Sequence, residues 1–220
     1  MMPRRRQPSP APAQTDVPVR PFRFVGGEVV LDFINTVDWG DDVLVHERLV
    51  DYSALTRWAE AAGVLTTTEG RALRHTASPN AAASAHADAL GLRGILQQLF
   101  SSVTQGKVAT GPFRTFNAAL GEVLPLRLLA RTTARRTDAA AVWTWRGWGE
   151  NPTCVLWPVI WSAAQLLASP DVMHLRMCAG PVCGWMYVDR SRNGLRRWCE
   201  MRTCGAQDKA RRYYARTHGH

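Results

Sequence analysis

Four of the five cysteines fall in the last 43 residues, as Cys178, Cys183, Cys199 and Cys204. They read C-x4-C, fifteen intervening residues, then C-x4-C. Two close pairs of thiolates can surround a tetrahedral zinc ion, with each pair folding around it. Gly180 and Pro181 inside the first pair, and Gly184 just after it, allow the tight backbone turns such a site needs. Two disulfides would require an oxidising compartment, and the basic, Pro-rich start has no apolar segment to act as a secretory signal. Neither gap is the C-x-x-C of a redox pair. Four sulfur ligands leave no position for an activated water, so one structural zinc is expected. About 40 residues with few large aliphatics bury little core, so the metal is expected to supply most of their stability, ~10–16 kcal/mol for such sites. His174, His218 and His220 are the alternative ligands within reach, and Cys154, in the apolar stretch TCVLWPVIW, reads as a small buried hydrophobe.

The charge is concentrated around the same cysteines. The 220 residues carry a net charge of +9, with 27 Lys plus Arg against 18 Asp plus Glu. Residues 1–23 hold +4 and residues 178–220 hold +6, leaving the middle at −1. Localised positive charge is the footprint of a polyanion partner. Four thiolates around one zinc add −2, so the folded C-terminal segment is nearer +4. Between the cysteine pairs, Asn193-Gly194 signals a hairpin turn. Arg190, Arg192, Arg196 and Arg197 crowd around it. After Cys204, QDKARRYYAR reads as a helix carrying Lys209, Arg211, Arg212 and Arg216. Zinc knuckle, hairpin, second cysteine pair and terminal helix follow the order of a treble-clef finger. Its arginines are expected to meet phosphates, and Tyr213 and Tyr214 to stack on bases or pack back on the finger. A solvated basic face is the plainer reading of the same residues.

The rest of the chain must position this segment. Residues 1–21 contain six Pro and almost no large apolar side chain, and read as a disordered basic arm. In FRFVGGEVVLDFINTV, two apolar runs around Gly26-Gly27 suggest a hairpin passing into a helix. Helices are expected from Asp51 to a stop at Gly63, from Thr66 to His75, and from Asn80 to Gln105 despite Gly91 and Gly94. Leu126–Thr133 and Ala141–Arg146 read as two strands of a hairpin. Pro152 suits the first turn of a helix running to about Ala168, and Ser169-Pro170-Asp171 marks a boundary. The expected architecture is α+β: an arm at 1–21, a mainly helical domain with small β elements at 22–170, and a treble-clef-like zinc finger at 171–220. No apolar run reaches the ~20 residues needed to cross a bilayer, so a cytoplasmic protein is expected.

Two stretches resemble known families. CAGPVCGWMYVDRSRNGLRRWC is similar to the CGNR zinc finger, with its C-x4-C-G-W-x-F-x-D-x-S-R-N and R-R-W-C, and Tyr187 stands where that pattern has an aromatic. VLDFINTV resembles the L-D-F-x-N-T signature of the ABATE domain, which precedes this finger in a family of stress-induced transcription regulators. DYSALTRWAEAAGVL and WPVIWSAAQLLAS are also similar to that domain, and the resemblance spans about residues 22 to 217. One departure falls on the naming motif: Cys204 is followed by Gly205, Ala206 and Gln207 where the finger has Gly, Asn and Arg. The last ligand is kept, while a helix-capping Asn and a charged Arg are lost, which implies weaker or shifted DNA contacts.

The resemblance implies a DNA-binding transcription regulator whose helical domain senses a small-molecule effector or forms a homodimer. Asp32, Asn35 and Thr36 interrupt an apolar segment and are the candidates to line a ligand pocket; helix capping and satisfaction of buried backbone groups are their alternative roles. An RNA-binding or protein-interaction module with a purely structural zinc is the competing reading. Enzyme activity is not expected, because no nucleophile–base spacing, phosphate-binding loop or open metal site stands out.

Overall fold

A computed structural model describes residues 20–40, 43–131 and 140–218. The arm expected at 1–21 lies outside these residues except for its last two positions. Helix α1 (Val29–Ile34) sits at the centre, with Val30, Leu31, Phe33 and Ile34 all buried. Six residues cannot hold a helix in water unaided. Here α4 and α6 pack on α1 and hold it, and Phe33 meets Trp58 of α2 with ring centroids 5.2 Å apart.

Local signals account for the helices around it. Asp51 caps α2 (Tyr52–Ala61) by accepting from the Ala54 N–H at 2.6 Å, and Gly63, at φ +71°, lets the chain reverse after it. Thr66 and Glu69 form a reciprocal capping box on α3 (Thr67–Thr76). Ser78 caps α4 (Pro79–Thr104), the longest helix, with Pro79 in its first turn. Helix α5 (Thr110–Val123) packs between α4 and α6 (Trp157–Leu167). None of the described helices is long and apolar enough to span a membrane.

Strands pair only locally, in three antiparallel pairs among the described residues. Strands β1 (Val37–Gly40) and β2 (Val43–Glu47) form one, β3 (Arg127–Arg131) and β4 (Ala141–Trp145) the second, and β5 (Leu175–Met177) and β6 (Met186–Val188) the third. The main core runs unbroken from α1, α2, α4 and α6 into Leu175, Met186 and Val188 of the third pair. The cysteine-bearing segment therefore shares the core of the helical body.

The sequence reading placed α2, α3, α4 and the β3–β4 pair within a residue or two of their ends. It missed α5 and the β1–β2 pair. The hairpin expected at Gly26-Gly27 does not form. Gly27 turns at φ +84°, and the Gly26 carbonyl accepts instead from the Val188 N–H of β6 at 2.9 Å. Backbone groups that a local hairpin would have paired are satisfied by a strand far away in sequence. Pro152 opens a 3-10 turn (Pro152–Leu156), and α6 proper begins only at Trp157.

A Cβ at Gly91, midway along α4, would meet no atom within 4 Å, so no close packing demands glycine there. Gly91→Ala should raise stability by about 0.5–1 kcal/mol through helix propensity, read as a higher urea midpoint with an unchanged slope. A lower midpoint would contradict this packing.

Candidate metal centre and nucleic-acid interface

Strand β5 delivers Cys178 and β6 leaves from the loop after Cys183, so the first cysteine pair closes the turn of a short hairpin. Its register sets Met177 opposite Met186, and the Cys178 N–H continues the ladder to the Trp185 carbonyl at 2.8 Å. Cys199 and Cys204 approach from the other side, Cys204 within the wide helical turn Met201–Gly205. The four Sγ atoms lie within 4.8 Å of one another, and Cys183–Cys199 and Cys199–Cys204 are each separated by 3.6 Å. Tetrahedral sulfurs about 2.3 Å from zinc stand about 3.8 Å apart. The cluster matches that geometry.

Surrounding groups suit thiolates. Cys178 Sγ accepts from the Cys199 N–H at 3.2 Å and the Gly180 N–H at 3.4 Å. A Cβ on Gly180 would come within 3.2–3.5 Å of Cys183 Cβ and the sulfurs of Cys204 and Cys178, so the bare backbone forms part of the cradle. Hydrogen bonds from Cys183 and Cys199 pull the Cys178 thiol far below its ordinary range, while the proton shared with Cys178 pushes Cys183 up. Sulfurs this close cannot all ionise unless a cation lies between them. One structural zinc is the ion this donor set takes, and four sulfurs leave no open position on it. His174 is not part of the cluster; His220 and the His218 side chain lie outside the described residues.

Between the cysteine pairs, buried Asp189 organises the loop. Its carboxylate accepts from the Ser191 N–H at 2.9 Å and the Arg196 N–H at 3.0 Å. Bonds from Ser191 hold this carboxyl below the usual carboxylate range. Asn193-Gly194 makes a turn, with Gly194 at φ +60°. No strands flank it, because Asp189 spends the neighbouring N–H groups and the finger's hairpin lies instead at β5–β6.

The basic residues divide into two groups. Arg196 donates to the carbonyls of Trp198, Val25 and Cys199 and lies 4.1 Å from the Tyr187 ring centroid. Arg190 pairs with Glu28 and Asp171 and donates to the Gly27 carbonyl. Both guanidinium groups therefore bind the protein itself. Arg192, Arg197, Lys209, Arg211, Arg212 and Arg216 are exposed. Helix α7 (Ala206–His218) leaves the zinc site with every described side chain from Lys209 to Thr217 exposed, and Asp208 at its start pairs with Arg211 and Arg212. Arg202, between the second pair of cysteines, is 90% exposed and escaped the sequence reading.

The body grips the finger along the free edge of β6. Asn35 Nδ2 donates to the Met186 carbonyl at 2.8 Å and Asn35 Oδ1 accepts from the Met186 N–H at 3.0 Å. Trp185 Nε1 donates to the Val37 carbonyl at 2.8 Å, and the guanidinium groups of Arg23 and Arg48 lie over its ring. Arg23 also pairs with Glu200.

A model of the ABATE family, described as "Putative stress-induced transcription regulator", matches residues 27–170, and a model of the CGNR zinc finger matches residues 174–217. The chain belongs to the ABATE family. No curated protein matches it.

The ABATE signature now has a physical reading. Leu31 and Phe33 fill the core, and Asp32 Oδ1 accepts from the Gly26 N–H at 2.8 Å. Asn35 clamps β6. Thr36 donates to the Phe33 carbonyl at 2.7 Å and accepts from Arg93 at 2.9 Å, and Arg93 also pairs with Glu47. The structure thus engages the three residues singled out as pocket candidates in bonds within the protein: Asn35 to the finger, and Asp32 and Thr36 to Gly26, Phe33 and Arg93 of the body. Apart from the local bond of Thr36 to Phe33, their partners are 6 to 151 positions away, and no local pattern announces those.

The purified ABATE protein should carry one zinc. Cys183→Ser should lose it, and chelation should lower the thermal midpoint of the whole chain in one transition, because Met186 and Val188 belong to the body's core. An unchanged body transition would break that coupling. Burial raises the Asp32 carboxyl to about 6 from 3.8, so the folded state holds its proton more tightly than the unfolded chain. Stability from this group is present below about pH 4 and lost as pH rises to about 6. Asp32→Asn should flatten that part of the stability–pH curve while keeping an acceptor for Gly26.

Proposed function

We propose that the chain is a DNA-binding transcription regulator: the zinc finger grips duplex DNA, and the helical ABATE body receives a signal, either a small ligand or a second copy. The observation that carries the DNA half is α7. A 13-residue helix with its described side chains exposed from Lys209 to Thr217 buries little against its own protein. Its basic face and roughly 10–12 Å diameter suit the DNA major groove, about 12 Å wide. Arg192 and Arg197 on the Asp189-braced loop, and Arg202 beside the zinc site, add phosphate contacts from a rigid platform. Arg190 and Arg196 drop out of that contact set and act as braces. The family description supports a regulator, and this reading gives the chain no catalytic step.

Tyr213 and Tyr214, 55% and 61% exposed on α7, favour a second reading in which their rings stack on unpaired RNA bases. Selection by the full zinc-loaded chain from random duplex DNA and RNA pools separates the two. Enrichment of duplex DNA is expected; enrichment of single-stranded RNA alone would overturn the first reading. DNA affinity should fall steeply with salt, by roughly 0.9 in the log–log slope per phosphate neutralised. Replacing Arg192, Arg197 and Arg212 with Ala should reduce that slope by about 2 to 3. Gln207→Arg, which restores the charge of the family motif, should increase it by about 1.

A further inference from the structure

We infer that the cavity between α4, α5 and the start of α6 is a binding site for a small lipophilic organic cation. This deepens the ligand-receiving half of the proposed function and is independent of its DNA half. The cavity has a volume of about 460 Å³, within the range of small-molecule sites. Leu92 and Ile95 of α4, Val123 of α5, Leu156 at the end of the 3-10 turn, and Trp157 and Ile160 at the start of α6 form its walls. An apolar molecule with an aromatic or branched body gains most in such a space.

The polar groups at the cavity specify the charge. Asp88 on α4 and Glu122 on α5, both exposed, stand at its rim, and neither forms a hydrogen bond or ion pair with the described residues. Neither has an Arg partner among the described residues, unlike Asp38, Glu47, Glu60 and Asp171, so both carboxylates are open to a bound cation. The indole of Trp157 in the wall offers a further attraction for a positive charge.

Gly91 keeps one wall of the cavity bare. It lines the cavity, and a Cβ built on it points into open space. Glycine is unfavourable in the middle of a 26-residue helix, and no close approach requires it there. Its missing side chain leaves the cavity open.

Tetraphenylphosphonium and tetraphenylborate share a shape and differ in the sign of charge. In calorimetric titrations of the zinc-loaded full chain, the phosphonium should bind at least ten-fold more tightly than the borate. The double variant Asp88→Asn with Glu122→Gln should lower phosphonium affinity about ten-fold. Gly91→Leu should abolish binding while keeping zinc content and a cooperative melting transition. Equal binding of the two ions, no phosphonium binding, or unchanged affinity in either variant would overturn the assignment. Phosphonium binding that leaves DNA affinity unchanged would keep the cavity assigned and remove only its signalling role.

Discussion

The fold depends on the pair of hydrogen bonds between the Asn35 side chain and the backbone of Met186. A strand as short as β6 has β5 on one side and would otherwise leave its other edge unpaired inside the protein, at substantial cost. The Asn35 amide presents one donor and one acceptor, as a neighbouring peptide would, and the Gly26 carbonyl takes the next N–H along. With that edge satisfied, Met186 and Val188 can enter the main core, and the zinc-binding loops are fixed to a surface that is already folded.

Metal and core therefore share the work of holding the finger. A segment of this length with four cysteines reads as a module that zinc alone must fold, yet Leu175, Met186 and Val188 belong to the body's cluster, while Trp185, Tyr187 and Cys199 form a small one beside the metal. Zinc fixes the outer loops and the base of α7, where apolar contacts are few. The hydrophobic effect fixes the inner hairpin. Arg190 and Arg196 sit at the junction, where their charge-assisted bonds to Glu28, Asp171 and buried carbonyls brace one part against the other.

How much of this could be read beforehand follows from the range of each interaction. The close cysteine pairs and the helix starts at Asp51 and Thr66 are signals over three to five residues and were legible, whereas the Ser78 cap went unread and α4 was begun at Asn80. The β3–β4 pair was legible through its aromatic and branched residues. Gly26-Gly27 looked like a hairpin turn because the partner that wins its backbone, Val188, lies more than 160 positions away. Asn193-Gly194 forms a turn without a ladder because Asp189 takes the N–H groups first. Helix α5 carries Gly111, Pro112 and Gly121, which hide a helical pattern that tertiary packing nonetheless enforces. The arginines near the cysteines all looked alike, and only their neighbours in space separate the braces Arg190 and Arg196 from the exposed arginines, two of which, Arg211 and Arg212, share Asp208.

Helix α4 is the element that touches both ends of the proposed regulator. Gly91, Leu92 and Ile95 face the cavity, while Arg93, one residue along, is buried against Thr36 and Glu47. Thr36 follows Asn35 directly, so the helix that lines the cavity also bonds the residue next to the clamp on β6. Binding in the cavity changes the finger only to the extent that it favours one placement of α4 over another. The Arg93–Glu47 pair resists such a shift, because leaving that guanidinium buried without its carboxylate is costly. A ligand signal would therefore have to move α4 and the β1–β2 pair together, carrying Glu47 with Arg93, and the backbone of Val37 that holds Trp185 would move with them.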